Sequence, residues 1–146
     1  MRPILTLKKK PEQWVQLTGR LVYEPHRPDL RKTRKADKFM LVLELKGDIA
    51  KYYAWWLKKH FHLEVQLPAW RPHITVLDGR IAVREEKHHL WKKHQGELIT
   101  FEYNVNIEQH WKFWTLPVRS ERLNEIREEL GFARTDKLHL TIGRMS

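Results

Sequence analysis

Cysteine is absent from the 146-residue chain. That excludes disulfides, zinc-thiolate centres and thiol nucleophiles, and it removes thiol usage as a guide to redox compartment. Glycine is scarce, at six residues. There is no glycine-rich phosphate loop, no Gly-x-Ser-x-Gly elbow and no zinc-deaminase signature, so kinase, hydrolase-triad and deaminase chemistries fall. Long apolar runs are missing too. The first ten residues pass from a short apolar stretch into three lysines, the reverse of a secretory leader. A soluble protein is therefore expected, with the cytoplasm as the default compartment. Acidic charge is in deficit, with 18 Asp and Glu against 28 Lys and Arg and a formal charge of +10. This balance favours polyanionic, phosphate-bearing partners.

What the chain does contain is apolar mass, 41% hydrophobic residues with seven Trp, enough for one compact domain spanning residues 1–146. Alternating polarity predicts a strand from Trp14 to Tyr23, and an apolar run predicts a second from Phe39 to Leu45. Between them, from Glu24 to Lys38, lies the most basic segment, with Arg27, Arg31, Lys32, Arg34, Lys35 and Lys38. A helix is expected from Asp48, its cap, to about His60, with Ile49, Tyr52, Tyr53, Trp56 and Leu57 on one face. Residues 73–77 have strand composition and end on the turn pair Asp78 and Gly79. Strands are expected over 98–107 and 111–119, with Glu108 to His110 as the turn between them. A helix capped by Ser120 should run to Leu130, burying Leu123, Ile126 and Leu130 and ending at Gly131, and a last strand covers 138–142. The two halves thus share an order of strand, helix and strand, a weak internal repeat.

Each half closes on the same short pattern: His73, Ile74, Thr75 in the first and His139, Leu140, Thr141 in the second. In a strand, residues two apart share a face, so each pattern presents an imidazole and a hydroxyl together while its middle residue turns to the core. With nine His and eight Thr in the chain, chance supplies only about 0.2 His-apolar-Thr tripeptides. Both patterns then run on to a Gly-Arg pair, at Gly79-Arg80 and Gly143-Arg144. Two imidazoles suit phosphodiester cleavage, one taking a proton from the attacking oxygen and the other giving one to the leaving oxygen. The Thr hydroxyls suit donation to non-bridging phosphate oxygens. Such chemistry calls for no metal and no cofactor, and which histidine is base and which acid stays open.

On these paired motifs, 139 − 73 = 66 residues apart, the chain resembles the 2H phosphoesterase superfamily. It is most like the small phage-associated members called Swiss Army Knife type 2H domains, a likeness to which residues 21–28, 52–56 and 130–144 also contribute. The resemblance implies an α+β, bilobed fold, with two pseudo-symmetric lobes of antiparallel strands and flanking helices around a central cleft. It implies metal-independent hydrolysis of a 2′,3′-cyclic phosphate, a 2′-5′ linkage or a cyclic nucleotide, with His73, Thr75, His139 and Thr141 as the catalytic set. The partners it implies are RNA, an oligonucleotide or a cyclic nucleotide, in the host cytoplasm if the chain is phage-encoded. No membrane or obligatory protein partner is expected, and the chain is expected to be a monomer.

Further candidates surround this set. Arg27, Arg31 and Lys32 either clamp substrate phosphates or form a solvated charge run. Arg80 and Arg144 follow the motif strands and reach phosphate if the chain turns back to the cleft. Trp70 and Tyr23 offer rings for stacking on a base, Tyr23 also a hydroxyl for phosphate. His88, His89 and His94 match no metal-ligand spacing and read as exposed loop residues. The competing class is a basic RNA-binding module without chemistry, for which a second matched imidazole-hydroxyl pair has no use.

Overall fold

The computed structural model describes residues 5–7, 13–25, 38–68 and 70–145. The elements run β1 (Leu5–Leu7), β2 (Trp14–Tyr23), β3 (Met40–Glu44), α1 (Ile49–Phe61), β4 (Val65–Gln66) and β5 (His73–Asp78). They continue as β6 (Leu98–Asn104), β7 (Ile107–His110), β8 (Phe113–Arg119), α2 (Glu121–Glu129) and β9 (His139–Met145). Among the described residues every strand pairing is antiparallel, in the order β1-β7-β8-β6-β2-β3-β5-β9-β4. An additional pairing of β8 with β9 closes six of the strands, β8-β6-β2-β3-β5-β9, into a ring. Among the described residues the protein is thus an α+β fold built on a closed antiparallel barrel with two α-helices and a 3-10 helix at Glu85–Leu90.

One face of the sheet makes the core. Leu21, Leu41, Leu43, Ile74, Phe101, Leu116 and Leu140 are buried there together with Leu57 of α1 and Leu123 and Ile126 of α2. Two glycines serve close approach within the sheet. A Cβ on Gly19 would lie 2.7 Å from Leu43 Cγ, and one on Gly143 would collide with Val65, so a side chain at either would push neighbouring strands apart. No helix among the described residues is long and apolar enough to cross a membrane.

The strand expected over residues 14–23 has the expected bounds, and α2 begins at Ser120, whose hydroxyl oxygen accepts from the Leu123 N–H. Three expectations are corrected. Glu108 to His110 is not a turn but most of β7, because the reversals fall at residues 105–106 and 111–112 on either side of it. Asp48 holds the N-cap position of α1 without a capping side-chain bond, its carboxylate lying 3.9 Å from Lys51 instead. The α1 stripe is turned by one position: Ala50, Tyr53 and Leu57 are buried and Tyr52 is 49% exposed, since Tyr53 reaches Tyr103 with its hydroxyl.

Candidate active site

The two motif strands are neighbours. Ile74 of β5 opposes Leu140 of β9, both fully buried on the core face. Continued by one residue either way, this antiparallel register sets His73 opposite Thr141 and Thr75 opposite His139. All four polar side chains therefore stand on the face away from the core, each histidine beside the other motif's threonine. The two histidines are diagonal neighbours, which lie about 7–8 Å apart with their Cβ atoms somewhat closer. A local twofold passes through the Ile74–Leu140 pair.

The surrounding strands follow the same symmetry. β3 flanks β5 with Val42 opposite Thr75 and Leu43 opposite Ile74, and β8 flanks β9 with Thr115 opposite Thr141 and Leu116 opposite Leu140. Both pairings shift register immediately after the motif threonine, leaving Val76 and Ile142 as matched bulge residues. A bulge lets two consecutive residues face the core, and Val76 with Leu77 does so. The carbonyl of Val76 accepts from Arg127 Nη1 of α2 at 2.6 Å, an anchor that tethers the helix to the motif strand. Resumed register places Asp78 opposite Met40 and Arg144 opposite Phe113. The symmetry partner of Arg144 is therefore Asp78, and the two Gly-Arg endings that look alike in sequence are not equivalent in space.

Both imidazoles are held in the same way. His73 Nδ1 lies 3.0 Å from the carbonyl of Arg71, and His139 Nδ1 lies 3.1 Å from the carbonyl of Lys137, in each case two residues earlier. A carbonyl oxygen only accepts, so Nδ1 carries a proton in each ring and Nε2, on the opposite edge, is the atom presented for proton transfer. The environments then diverge. The Trp70 ring packs over His73 at 3.9 Å between centroids, and Glu44 is its cross-strand neighbour, with Arg71 3.8 Å from that carboxylate. His139 has Pro117 as its cross-strand neighbour. Two clefts, of about 590 and 510 Å³, meet at His139, Leu138 and Lys137. The first continues past Thr141 to Thr115, Glu108 and His110, and the second past Thr75 to Asp78, Arg80 and Arg127.

Other expected site residues are placed differently. Tyr23 is 4% exposed, edge-on to Trp91, and burial pushes its phenol up to about 12. A ring so enclosed offers no face to a base, so its stacking role is withdrawn. Trp70 is also buried, and the ring it packs against is His73. Arg80 lines the second cleft, 3.5 Å from Asp78, while Arg144 donates to Gln66 Oε1 of β4. Arg27, Arg31 and Lys32 lie outside the described residues. His94 is no exposed loop residue, because its Nε2 lies 2.8 Å from Glu129. Beside it the Arg122 guanidinium grips Glu97 and holds that carboxyl below its usual range. Among the described residues no cluster of three or more His, Asp or Glu is placed to hold a metal ion.

Sequence reading missed Glu44, Glu108, His110, Arg127 and Lys137. Only Lys137 carried a local signal, its position two residues before a motif histidine matching that of Arg71. Comparison of the chain with protein-family models, with curated proteins and with solved structures gives no match.

Proposed function

We propose that the chain is a 2H-type phosphodiesterase that hydrolyses a cyclic or 2′-linked phosphodiester of RNA or a nucleotide by paired histidine catalysis. The observation that carries this reading is the matched setting of the motifs: two imidazoles anchored alike through Nδ1 on strands that meet at Ile74 and Leu140. A purely structural pair of histidines has no need of matched orientation. On this reading the units β3-α1-β5 and β8-α2-β9 are the two lobes of a bilobed 2H fold, joined at the seam between β5 and β9.

A phosphate seated between the rings meets a threonine hydroxyl from each side, donors suited to charge that grows on the non-bridging oxygens. For a 2′,3′-cyclic phosphate, one Nε2 takes a proton from water as its oxygen bonds to phosphorus. The other Nε2 gives a proton to the ribose oxygen as the phosphorus-oxygen bond breaks, leaving a phosphomonoester. We assign the donor to His73 and the acceptor to His139. Around His73 stand the Glu44 carboxylate from β3, the Trp70 ring, Arg71 beyond that carboxylate, and the uncharged Thr141 from β9. A carboxylate and an indole face both favour an imidazolium. Around His139 stand Pro117 and Thr75, with Lys137 lining both clefts that meet there. The other ionisable residues of those clefts are Asp136, Glu108, His110, Asp78, Arg80 and Arg127. Glu108 is engaged with His110, and Asp78 with Arg80, which leaves Asp136 against Lys137 and Arg127.

The test is turnover of 2′,3′-cyclic nucleotides, 2′-5′ oligoadenylates and cyclic dinucleotides in excess EDTA. Cleavage of at least one class at an undiminished rate is expected. Binding without cleavage of any class would favour the RNA-binding alternative, and activity lost to EDTA but restored by a divalent ion would overturn the metal-independent reading. The rate should be bell-shaped in pH. Removing the carboxylate in Glu44→Gln makes the His73 imidazolium easier to deprotonate, so the alkaline limb should move to lower pH with the acid limb held. Movement of the acid limb alone would reverse the two roles.

A further inference from the structure

The 590 Å³ cleft beside His139 ends in a pair of ionisable side chains that the hydrolytic step does not use. Thr141, Thr115 and Glu108 are successive cross-strand neighbours on β9, β8 and β7, so Glu108 stands two strand spacings, about 10 Å, from the motif threonine. His110 lies on the same face of β7, its Nε2 2.9 Å from Glu108 Oε1. Oε2 of Glu108 has no hydrogen-bond partner among the described residues. Phe113, cross-strand from His110, is 37% exposed and forms one apolar wall, with Pro117 and Leu138 as others. Both Glu108 and His110 have about a quarter of their side-chain surface exposed, so they sit within the cleft wall rather than on open surface.

We infer that this cleft is a base-recognition subsite selecting nucleotides whose base carries an exocyclic amine. The inference rests on the diesterase reading above and extends it to substrate specificity. A phosphate at the histidine pair sends its nucleoside along the line from Thr141 to Glu108. The base then lies against Phe113, and its edge meets the open oxygen of Glu108. A carboxylate only accepts, so it rewards the amine of cytosine, adenine or guanine and repels the carbonyl that uracil presents in the cytosine amine's place. The bond from His110 holds the carboxylate in one orientation, which makes the discrimination geometric as well as electrostatic.

Cytidine and uridine 2′,3′-cyclic phosphates are close to isosteric and isolate this contact. The wild-type protein should prefer the cytidine ester by about tenfold in kcat/KM. Glu108→Gln, whose amide can donate, should bring the ratio near unity or invert it, and Phe113→Ala should raise KM for both esters by about tenfold or more while sparing kcat. Unchanged thermal midpoints would establish that both variants are folded. Equal handling of the two esters by the wild type, or a preference that survives Glu108→Gln, overturns the subsite. If the wild type cleaves neither ester, calorimetric binding of cytidine and uridine 2′-monophosphates decides the subsite by the same contrast, and the diesterase reading fails only if 2′-5′ oligoadenylates and cyclic dinucleotides are left intact as well.

Discussion

Alanine at His73 or at His139 is expected to lower kcat on a cleaved phosphodiester by about 10²- to 10⁴-fold, with a much smaller change in KM. Each imidazole is presented through Nε2 because its Nδ1 donates to a backbone carbonyl, so each contributes a proton transfer that solvent replaces poorly. Ground-state contacts to the phosphate survive in either variant through Thr75, Thr141 and the remaining ring, which is why the loss falls on kcat. Steady-state kinetics on both variants checks this. A fall confined to KM would turn the histidines into binding residues, and a variant at the wild-type rate would remove that histidine from the chemistry.

The second large effect is on stability and is expected for Leu140→Ala. Leu140 is fully buried and lies between Ile74 of β5 and Leu116 of β8, so it fills the seam on which both motif strands rest. Truncation of such a residue costs about 2–5 kcal/mol, a substantial part of the 5–15 kcal/mol that holds a domain together. Urea unfolding should show a lower midpoint with an unchanged slope. Because the seam fixes the register that sets His73 beside Thr141, kcat should fall as well, although Leu140 points away from the cleft. A loss under about 1 kcal/mol would mean that the seam is not close-packed.

Local patterns carried much of this fold because they state which face a residue takes. The alternation from Trp14 to Tyr23 and the Ser120 cap needed only neighbouring residues to be read, and the strands and the cap lie where those patterns put them. The paired motifs were legible for the same reason: a period of two placed imidazole and hydroxyl together and turned Ile74 and Leu140 inward. Cross-strand relations were not legible. Nothing near Glu44 or Glu108 in the chain says that one stands beside His73 and the other at the end of the cleft, since both facts follow from register across strands distant in sequence. The bulges at Val76 and Ile142 were hidden too, whereas equal spacing from each motif histidine already makes Asp78, not Arg80, the counterpart of Arg144. Tyr23 misled because a strand-end tyrosine beside a basic segment has the composition of a binding residue, and only its burial against Trp91 assigns it to the core.

If both imidazoles address one phosphate, nitrogen NMR of the histidine rings will register it at each of them. With ¹⁵N-labelled histidine and His73→Ala and His139→Ala for assignment, a nucleoside 2′-monophosphate is titrated into the wild-type protein. The Nε2 resonances of His73 and His139 are expected to move together along one saturation curve while their Nδ1 resonances keep the signature of a protonated nitrogen. Saturable binding that moves only one of the two rings, or neither, would contradict it.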